Sequence, residues 1–422
     1  MNLIKTKSCR VCGSTKLKKV ISLGYQHLQG YFLDDKHKYK KNNFLKKRFL
    51  TELILCNTEK DIKACGLLQL SITVPKKLLY SEYFYKSGVN QTMRNHLHSI
   101  ANEIINFSKK KINILDIGCN DGTLLNFYPK SFLKFGIDPS NILSNINKNF
   151  NFVNDFFPSN KLEKLLKSKK LDVITSIAMF YDLEDPNNFV QSIYKLLKKK
   201  GLWIFEISYM PQMLKLNSYD TICHEHLEYY SLSIIKKILE KNNMKIAKIK
   251  LNNSNGGSIR CYAVKKDNFV FGTINDRNKI NILLKNELRL GLQTERPYNI
   301  FKKKIIQQKK KLKDLITKLK KKNKKIHVYG ASTKGNTILQ WCKIDNKLID
   351  FAADRNPQKH GLKTLGTNIP IISEEVSRAM KPDYYLVLPW HFKKEFIKRE
   401  KNFLKKGGHF IFPLPNVEIY KY

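Results

Sequence analysis

Apolar positions along this 422-residue chain fall into two stretches in which compact apolar runs alternate with amphipathic segments. In the first, INILDIG at 112–118 runs into a Gly-containing turn, and FGIDPS at 135–140, LDVITSIAMF at 171–180 and GLWIFEIS at 201–208 follow. Between them apolar residues recur at helical spacing, as over 187–199, and a further helical stretch precedes at about 90–108. Compact runs alternating with amphipathic helices predict βαβ units and an open parallel sheet. Residues 244–266, MKIAKIKLNNSNGGSIRCYAVKK, read as two strands joined by an Asn/Gly-rich turn, so the sheet is expected to close on an antiparallel pair.

The second alternating stretch opens at 326 with IHVYGASTKGNT and continues through LIDFAADRNPQKHG, YYLVLPW and GGHFIFPLP. Its motifs differ from those of the first, so no repeat is read. Residues 280–322, rich in Lys and free of Pro and Gly after Pro297, predict one or two connecting helices. Residues 1–75 are short strand-like runs around four Cys. At ~100–200 residues per domain, the length suits two to four domains.

The net charge of +43 invites a nucleic-acid reading, but only 10 of the 78 basic residues are Arg. A chain so poor in Arg is badly equipped for bidentate contacts to bases or phosphates, and the Lys are scattered rather than clustered. No run approaches the ~18 apolar residues of a membrane span. The N-terminus, MNLIKTKSCRVCG, lacks the apolar core of a signal peptide. The expectation is a soluble, cytoplasmic chain with neither a nucleic-acid nor a membrane partner.

Three patterns carry chemistry. Cys9-Arg-Val-Cys12-Gly is a knuckle-like pair, and Cys56 and Cys65 complete a set of four thiols. Four thiolates bind zinc tetrahedrally and leave no open position, so this site is expected to be structural. In LDIGCNDGTLL a strand leads through Gly118, Asn120 and Gly122 into a helix. A dinucleotide fingerprint would have a third Gly and face a pyrophosphate. Here Asp116 precedes the turn and the turn itself carries acid, which suits a cationic, phosphate-free ligand, S-adenosylmethionine (SAM). Asp138 ends the next strand, where it can accept hydrogen bonds from ribose hydroxyls, and Asn154 and Asp155 end a third, near the expected place of the adenine. The weaker turn VYGASTKGNT presents Lys334 near a helix N-terminus, a place for phosphates. The third pattern, TICHEHLEYYS at 221–231, sets His224, Glu225 and His226 side by side. It lacks the spacing of a zinc-protease helix, since Glu228 stands four residues after His224. Proton transfer, a polar loop with packed histidines and a metal site all remain open.

The motifs LDIGCNDGTLL, SIAMFYDLEDP, HEH, NGGSIR, GASTKGNT and LPWHF, in this order behind a Cys₄ set, resemble the three-domain sugar C-methyltransferases that act on nucleotide-linked 4-keto deoxysugars. The resemblance runs over essentially the whole chain. It implies a zinc-binding lobe at 1–78, a Rossmann-like class I SAM methyltransferase domain at 79–267, and a second Rossmann-like α/β domain at 268–422 that helps hold the nucleotide-sugar substrate. It also implies removal of the hydrogen on carbon 3, next to the ketone, and attack of the resulting enolate on the SAM methyl. The family's catalytic motif is Tyr-His-Glu-His. His226 matches its proton-transfer His and Glu225 its Glu, with Glu225 expected to orient His226 or raise its basicity; His224 completes the match, and Cys223 stands where the family often has Tyr. Tyr83 and Met179 fall in segments that the family uses around SAM, and Asn255 and Gly256 in a turn on the substrate side. Two other readings are an O- or N-methyltransferase of a small anionic metabolite, and a zinc-ribbon RNA-binding protein with an accessory SAM fold.

Overall fold

The computed structural model describes residues 3–34, 44–80, 83–108, 111–142, 149–269 and 271–422. Its largest sheet has seven strands, in the order Met244–Asn252, Ser258–Lys265, Leu197–Ser208, Leu171–Ile177, Asn113–Ile117, Leu133–Ile137, Asn151–Val153. The last five run parallel to one another, and the first two form the antiparallel closure foreseen from the Asn/Gly-rich turn. The chain leaves Asn113–Ile117 in one direction for two strands and returns on its other side. That reversal opens a crevice at the carboxyl ends of the strands, where ligands of such sheets bind.

Local sequence explains the elements. Leu197–Ser208 is buried almost continuously from Gly201 to Ile207 because helices cover both faces of a central strand. It starts earlier than the apolar run suggests: Lys198–Lys200 are exposed, yet Leu197 pairs with Leu171. The helix expected over 187–199 accordingly stops at Leu196. That helix, Pro186–Leu196, starts where the Asp185 side chain accepts the Asn188 N–H and where Pro, which has no N–H to lose, takes the first turn. Phe189, Val190 and Ile193 make its buried face.

A second sheet of six strands runs Ile371–Ile372, Phe351–Ala353, Ile326–Tyr329, Tyr384–Val387, His409–Phe412, Glu418–Tyr420, parallel except for the last. It too reverses direction beside its first strand, Ile326–Tyr329. Two helices, Ile274–Leu290 and Arg296–Lys321, connect the two sheets in sequence, as expected of the Lys-rich segment.

The N-terminal part forms a four-stranded antiparallel sheet whose fourth strand comes from elsewhere. The order is Glu228–Tyr229, Leu68–Leu70, Phe49–Cys56, Leu17–Gln26. The strand Glu228–Tyr229 follows the HEH segment, so that segment is fixed to the edge of the N-terminal sheet. Phe32–Leu33 in turn pairs with Lys363–Thr364 of the C-terminal region. The N-terminal lobe thus touches both α/β units. No described helix is long and apolar enough to cross a membrane.

Candidate active site and zinc centre

The four thiols converge. The Sγ atoms of Cys9, Cys12, Cys56 and Cys65 all lie within 4.8 Å of one another, Cys9 and Cys65 at 3.5 Å and Cys12 and Cys56 at 3.5 Å. A zinc ion with ~2.3 Å bonds to four sulfurs holds them about 3.8 Å apart, close to the spacing of this set. Among the described residues it is the one cluster of His, Cys, Asp and Glu with metal-ligand spacing.

The crevice of the seven-stranded sheet opens into a cavity of ≈ 650 Å³ that the C-terminal unit closes from the opposite side. Of the residues singled out from the sequence, Tyr83, Asp116, Gly118, Asn120, Asp138, Asp155, Met179, Glu225, His226, Asn255 and Lys334 line it. Cys223, His224, Gly122, Asn154 and Gly256 do not.

Each exception has a physical reason. The HEH segment is a tight turn, with His226 N–H donating to the Cys223 carbonyl at 3.2 Å, so successive side chains leave it in different directions. His224 faces the N-terminal lobe, with Nδ1 2.7 Å from Gln29 Oε1, Nε2 3.2 Å from Thr51 Oγ1 and its ring edge-on to Phe49. Cys223 is fully buried off the cavity. Asn154 spends its amide on the carbonyls of Asp138 and Ser140, at 2.9 and 2.8 Å, and braces the loop after Leu133–Ile137. Gly122, at φ 71°, caps the helix Thr123–Asn126. Gly256 lies against the Trp390 ring.

The part of the cavity at the carboxyl ends of the seven-stranded sheet rests on Gly118 and Asp138. Gly118 has φ 71°, and a Cβ there would press on Met179, so this position favours glycine and lets backbone approach a ligand. Asp138 accepts the Asn120 N–H at 2.8 Å through one oxygen and the Ser140 N–H and hydroxyl at 2.9 and 2.6 Å through the other. A carboxylate offers about four lone-pair directions, so one remains for a ribose hydroxyl. Burial pushes Asp116 up to about 7, against the hydrogen bond it accepts from Thr175 Oγ1 at 2.7 Å. The acid of the turn itself is used locally: Asn120 and Asp121 accept the backbone N–H groups of Ser87 and Gly88, which fixes the segment carrying Tyr83 and Tyr85. A glycine cradle, a carboxylate with an acceptor direction left and aromatic walls could hold SAM.

The opposite part of the cavity gathers Glu225, His226, Asn255 and Lys334. His226 Nδ1 lies 2.7 Å from the Thr221 carbonyl oxygen. A carbonyl only accepts, so Nδ1 carries the proton and Nε2 the lone pair. The expectation that Glu225 orients His226 is therefore corrected: the orienting group is the Thr221 backbone. Burial, then the Lys334 charge, pushes His226 down to about 3, and the imidazole is neutral. Burial pushes Glu225 up to about 7, against a hydrogen bond from Thr333 of the C-terminal unit. Its carboxyl occupies the space a Cβ would need at Gly30, so it bridges the N-terminal lobe and the C-terminal unit. Lys334 Nζ donates to the Asn255 carbonyl at 2.9 Å, in the first turn of the helix Thr333–Cys342.

Sequence reasoning passed over Tyr80, Asp182, Lys359 and His391, which also line the cavity. Asp182 and His391 sat inside quoted motifs, SIAMFYDLEDP and LPWHF; no spacing rule marks them, because the fold alone turns them inward.

Family models match in order along the chain: a zinc binding domain at residues 9–80, a methyltransferase domain at 89–249 and a C-methyltransferase C-terminal domain at 253–415. The C-methyltransferase NovU of Streptomyces niveus is 26% identical over 420 residues, covering 97% of this chain and 96% of its own. Malonyl-[acyl-carrier protein] O-methyltransferase 2 of Ilyobacter polytropus is 26% identical over 162 residues, 35% of this chain and 61% of its own. Among solved structures, the plantazolicin methyltransferase BpumL in complex with a pentazolic desmethylPZN analog and SAH is 17% identical, covering 42% of this chain and 86% of its own at a TM-score of 0.34. With its Cys₄ zinc centre, its crevice and its C-terminal α/β unit in this order, the chain is a SAM-dependent methyltransferase, similar to a C-methyltransferase over 97% of its length.

Proposed function

We propose that this enzyme methylates carbon 3 of a nucleotide-linked 4-keto deoxysugar by way of an enolate. The observation that carries the reading is His226: a neutral imidazole, its tautomer fixed by the Thr221 carbonyl, in the same cavity as the Asp138 turn and Lys334. A ketone acidifies the hydrogen on the neighbouring carbon, and a positioned base that removes it contributes ~10²–10⁴-fold. His226 Nε2 takes that proton. Bound SAM supplies an electrophilic methyl group for the carbon so activated. Lys334, with the N-terminus of Thr333–Cys342, neutralises the diphosphate of the sugar nucleotide. That neutralisation also removes one of the two causes that keep His226 a weak base. Glu225, held between Gly30 and Thr333, accepts a hydrogen bond from a sugar hydroxyl. The reading divides labour by region, with zinc in the N-terminal lobe, SAM in the central unit and the nucleotide in the C-terminal unit. The C-methyltransferase C-terminal match favours a carbon acceptor over an oxygen or nitrogen one.

The test is His226→Asn with SAM, a 4-keto nucleotide sugar and mass analysis of the product. Turnover should fall ~10²–10⁴-fold while SAM affinity stays unchanged, and exchange of the carbon 3 hydrogen with deuterated water in the absence of SAM should slow by the same factor. Exchange at the wild-type rate in the variant would remove His226 as the base. A wild-type enzyme that neither exchanges nor methylates any 4-keto sugar nucleotide would remove the substrate class.

A further inference from the structure

Asp182 is an acid of the cavity to which the scheme above gives no task. It stands in the loop after the strand Leu171–Ile177, where it lines the cavity between Tyr181 and Leu183. Its Oδ1 is buried and has no hydrogen-bond partner. Its side chain meets the Tyr80 hydroxyl, and the charges acting most strongly on it are both acidic: Glu225 from the HEH turn and Glu228 from the edge strand of the N-terminal sheet. A buried carboxylate with acids for neighbours keeps its proton. Burial, then Glu225 and Glu228, pushes this carboxyl well above the carboxylate range.

A neutral carboxylic acid has an O–H to donate, which the acceptor roles given above to Asp138 and Glu225 do not supply. The proposed reaction needs such a donor. His226 is a weak base, so the enolate it produces must be stabilised where its charge collects, on the carbonyl oxygen. We propose that Asp182 is a catalytic residue that donates its O–H to the acceptor's carbonyl oxygen and stabilises the enolate. The proposal rests on the C-methylation reading above. In the step concerned, the bond between carbon 3 and hydrogen breaks and the proton passes to His226 Nε2. The released electron pair forms the carbon–carbon double bond, and the carbonyl π pair moves to oxygen, where the Asp182 O–H is the donor. When the carbon later forms its new bond, the pair returns and the oxygen is a carbonyl again, so Asp182 keeps its proton throughout.

The experiment compares full-length wild-type enzyme with Asp182→Ala and Asp182→Asn. It follows carbon 3 hydrogen exchange in deuterated water with a 4-keto nucleotide sugar and S-adenosylhomocysteine present. An infrared spectrum of each substrate-free protein reports the carbonyl band of protonated carboxyl groups. Removing a single donor to a developing oxyanion costs ~10²–10³-fold, so Asp182→Ala should slow exchange by that factor. Asp182→Asn retains an N–H donor and should lose less. SAM affinity and thermal midpoint should stay at wild-type values in Asp182→Asn, which also decides the matter if Asp182→Ala does not fold. The protonated-carboxyl band should shrink in Asp182→Asn. Wild-type exchange rates in both variants overturn the proposal, and so does an unchanged infrared band. Absence of exchange in the wild type itself would refute the substrate reading, and the band alone would then decide whether Asp182 holds a proton.

Discussion

Two strand-to-helix turns face each other across the cavity, built alike and ending differently. In the central unit Gly118 N–H donates to the Ile137 carbonyl at 2.8 Å, and Asp138, just past that strand, accepts the Asn120 and Ser140 N–H groups at 2.8 and 2.9 Å. In the C-terminal unit Gly330 N–H donates to the Ala353 carbonyl at 2.8 Å, and Asp354 accepts the Ala331 and Asn356 N–H groups at 2.8 Å each. Both glycines are left-handed, at φ 71° and 84°. The difference is a cation. Lys359 Nζ lies 3.3 Å from Asp354 and also donates to the Ala331 carbonyl, whereas Asp138 receives only N–H and O–H groups of its own surroundings. One backbone geometry therefore serves two electrostatic ends. The bare carboxylate suits neutral hydroxyls and a cationic cofactor; the neutralised one, with Lys334 on the following helix, suits an anion.

The comparison breaks most visibly at Asp354. Asp354 and Lys359 are 8% and 9% exposed, so removing the acid strands a buried ammonium. Such losses cost ~3–5 kcal/mol. Asp354→Ala should lower the denaturant midpoint accordingly while the protein, where folded, binds SAM with unchanged affinity. A wild-type midpoint would mean that the lysine finds enough water in the cavity to need no partner, and the two turns would then differ less than the geometry says.

The corresponding change in the other turn should act on binding. Asp138→Ala removes a charged acceptor worth ~1.5–3 kcal/mol to a hydrogen-bonded partner, so SAM dissociation by calorimetry should weaken about 10- to 100-fold. Its effect on stability should be smaller than that of Asp354→Ala, since the groups left behind are neutral N–H and hydroxyl donors rather than a buried ammonium. Unchanged SAM affinity would remove Asp138 from the cofactor site.

Much of the frame was legible because periodicity reports burial. The runs at 112–118, 135–140 and 171–180 became parallel strands, and the Asn/Gly turn at 252–257 closed the antiparallel pair. The Cys₄ set was legible because thiolate chemistry constrains spacing. The equivalence of the two turns was not, because GCNDG and GASTKG share little beyond a first Gly, and the shared feature is a backbone hydrogen-bond pattern that residue types do not encode. Nor was the fate of the HEH neighbours. Which of four adjacent side chains enters a cavity depends on the turn closed between Cys223 and His226 and on the edge strand Glu228–Tyr229, whose partner Leu68–Leu70 lies some 160 residues earlier.

The finest test of the comparison is Lys334. Its ammonium is held by the Asn255 carbonyl at 2.9 Å, and that contact joins the helix Thr333–Cys342 to the turn after Met244–Asn252. If the second turn serves the anionic end of the substrate, Lys334→Ala should raise the apparent KM for the sugar nucleotide roughly tenfold, about 1.4 kcal/mol, with kcat little changed, since the diphosphate is bound equally before and during the reaction. SAM affinity should not move. Lys334→Arg should recover part of the loss, because a guanidinium still meets a phosphate. A fall in SAM affinity instead would assign the lysine to the cofactor side and invert the roles of the two turns. A rise in kcat at constant KM would show that its charge acts on His226 rather than on phosphate, since Lys334 is also one of the causes that lower the basicity of this imidazole.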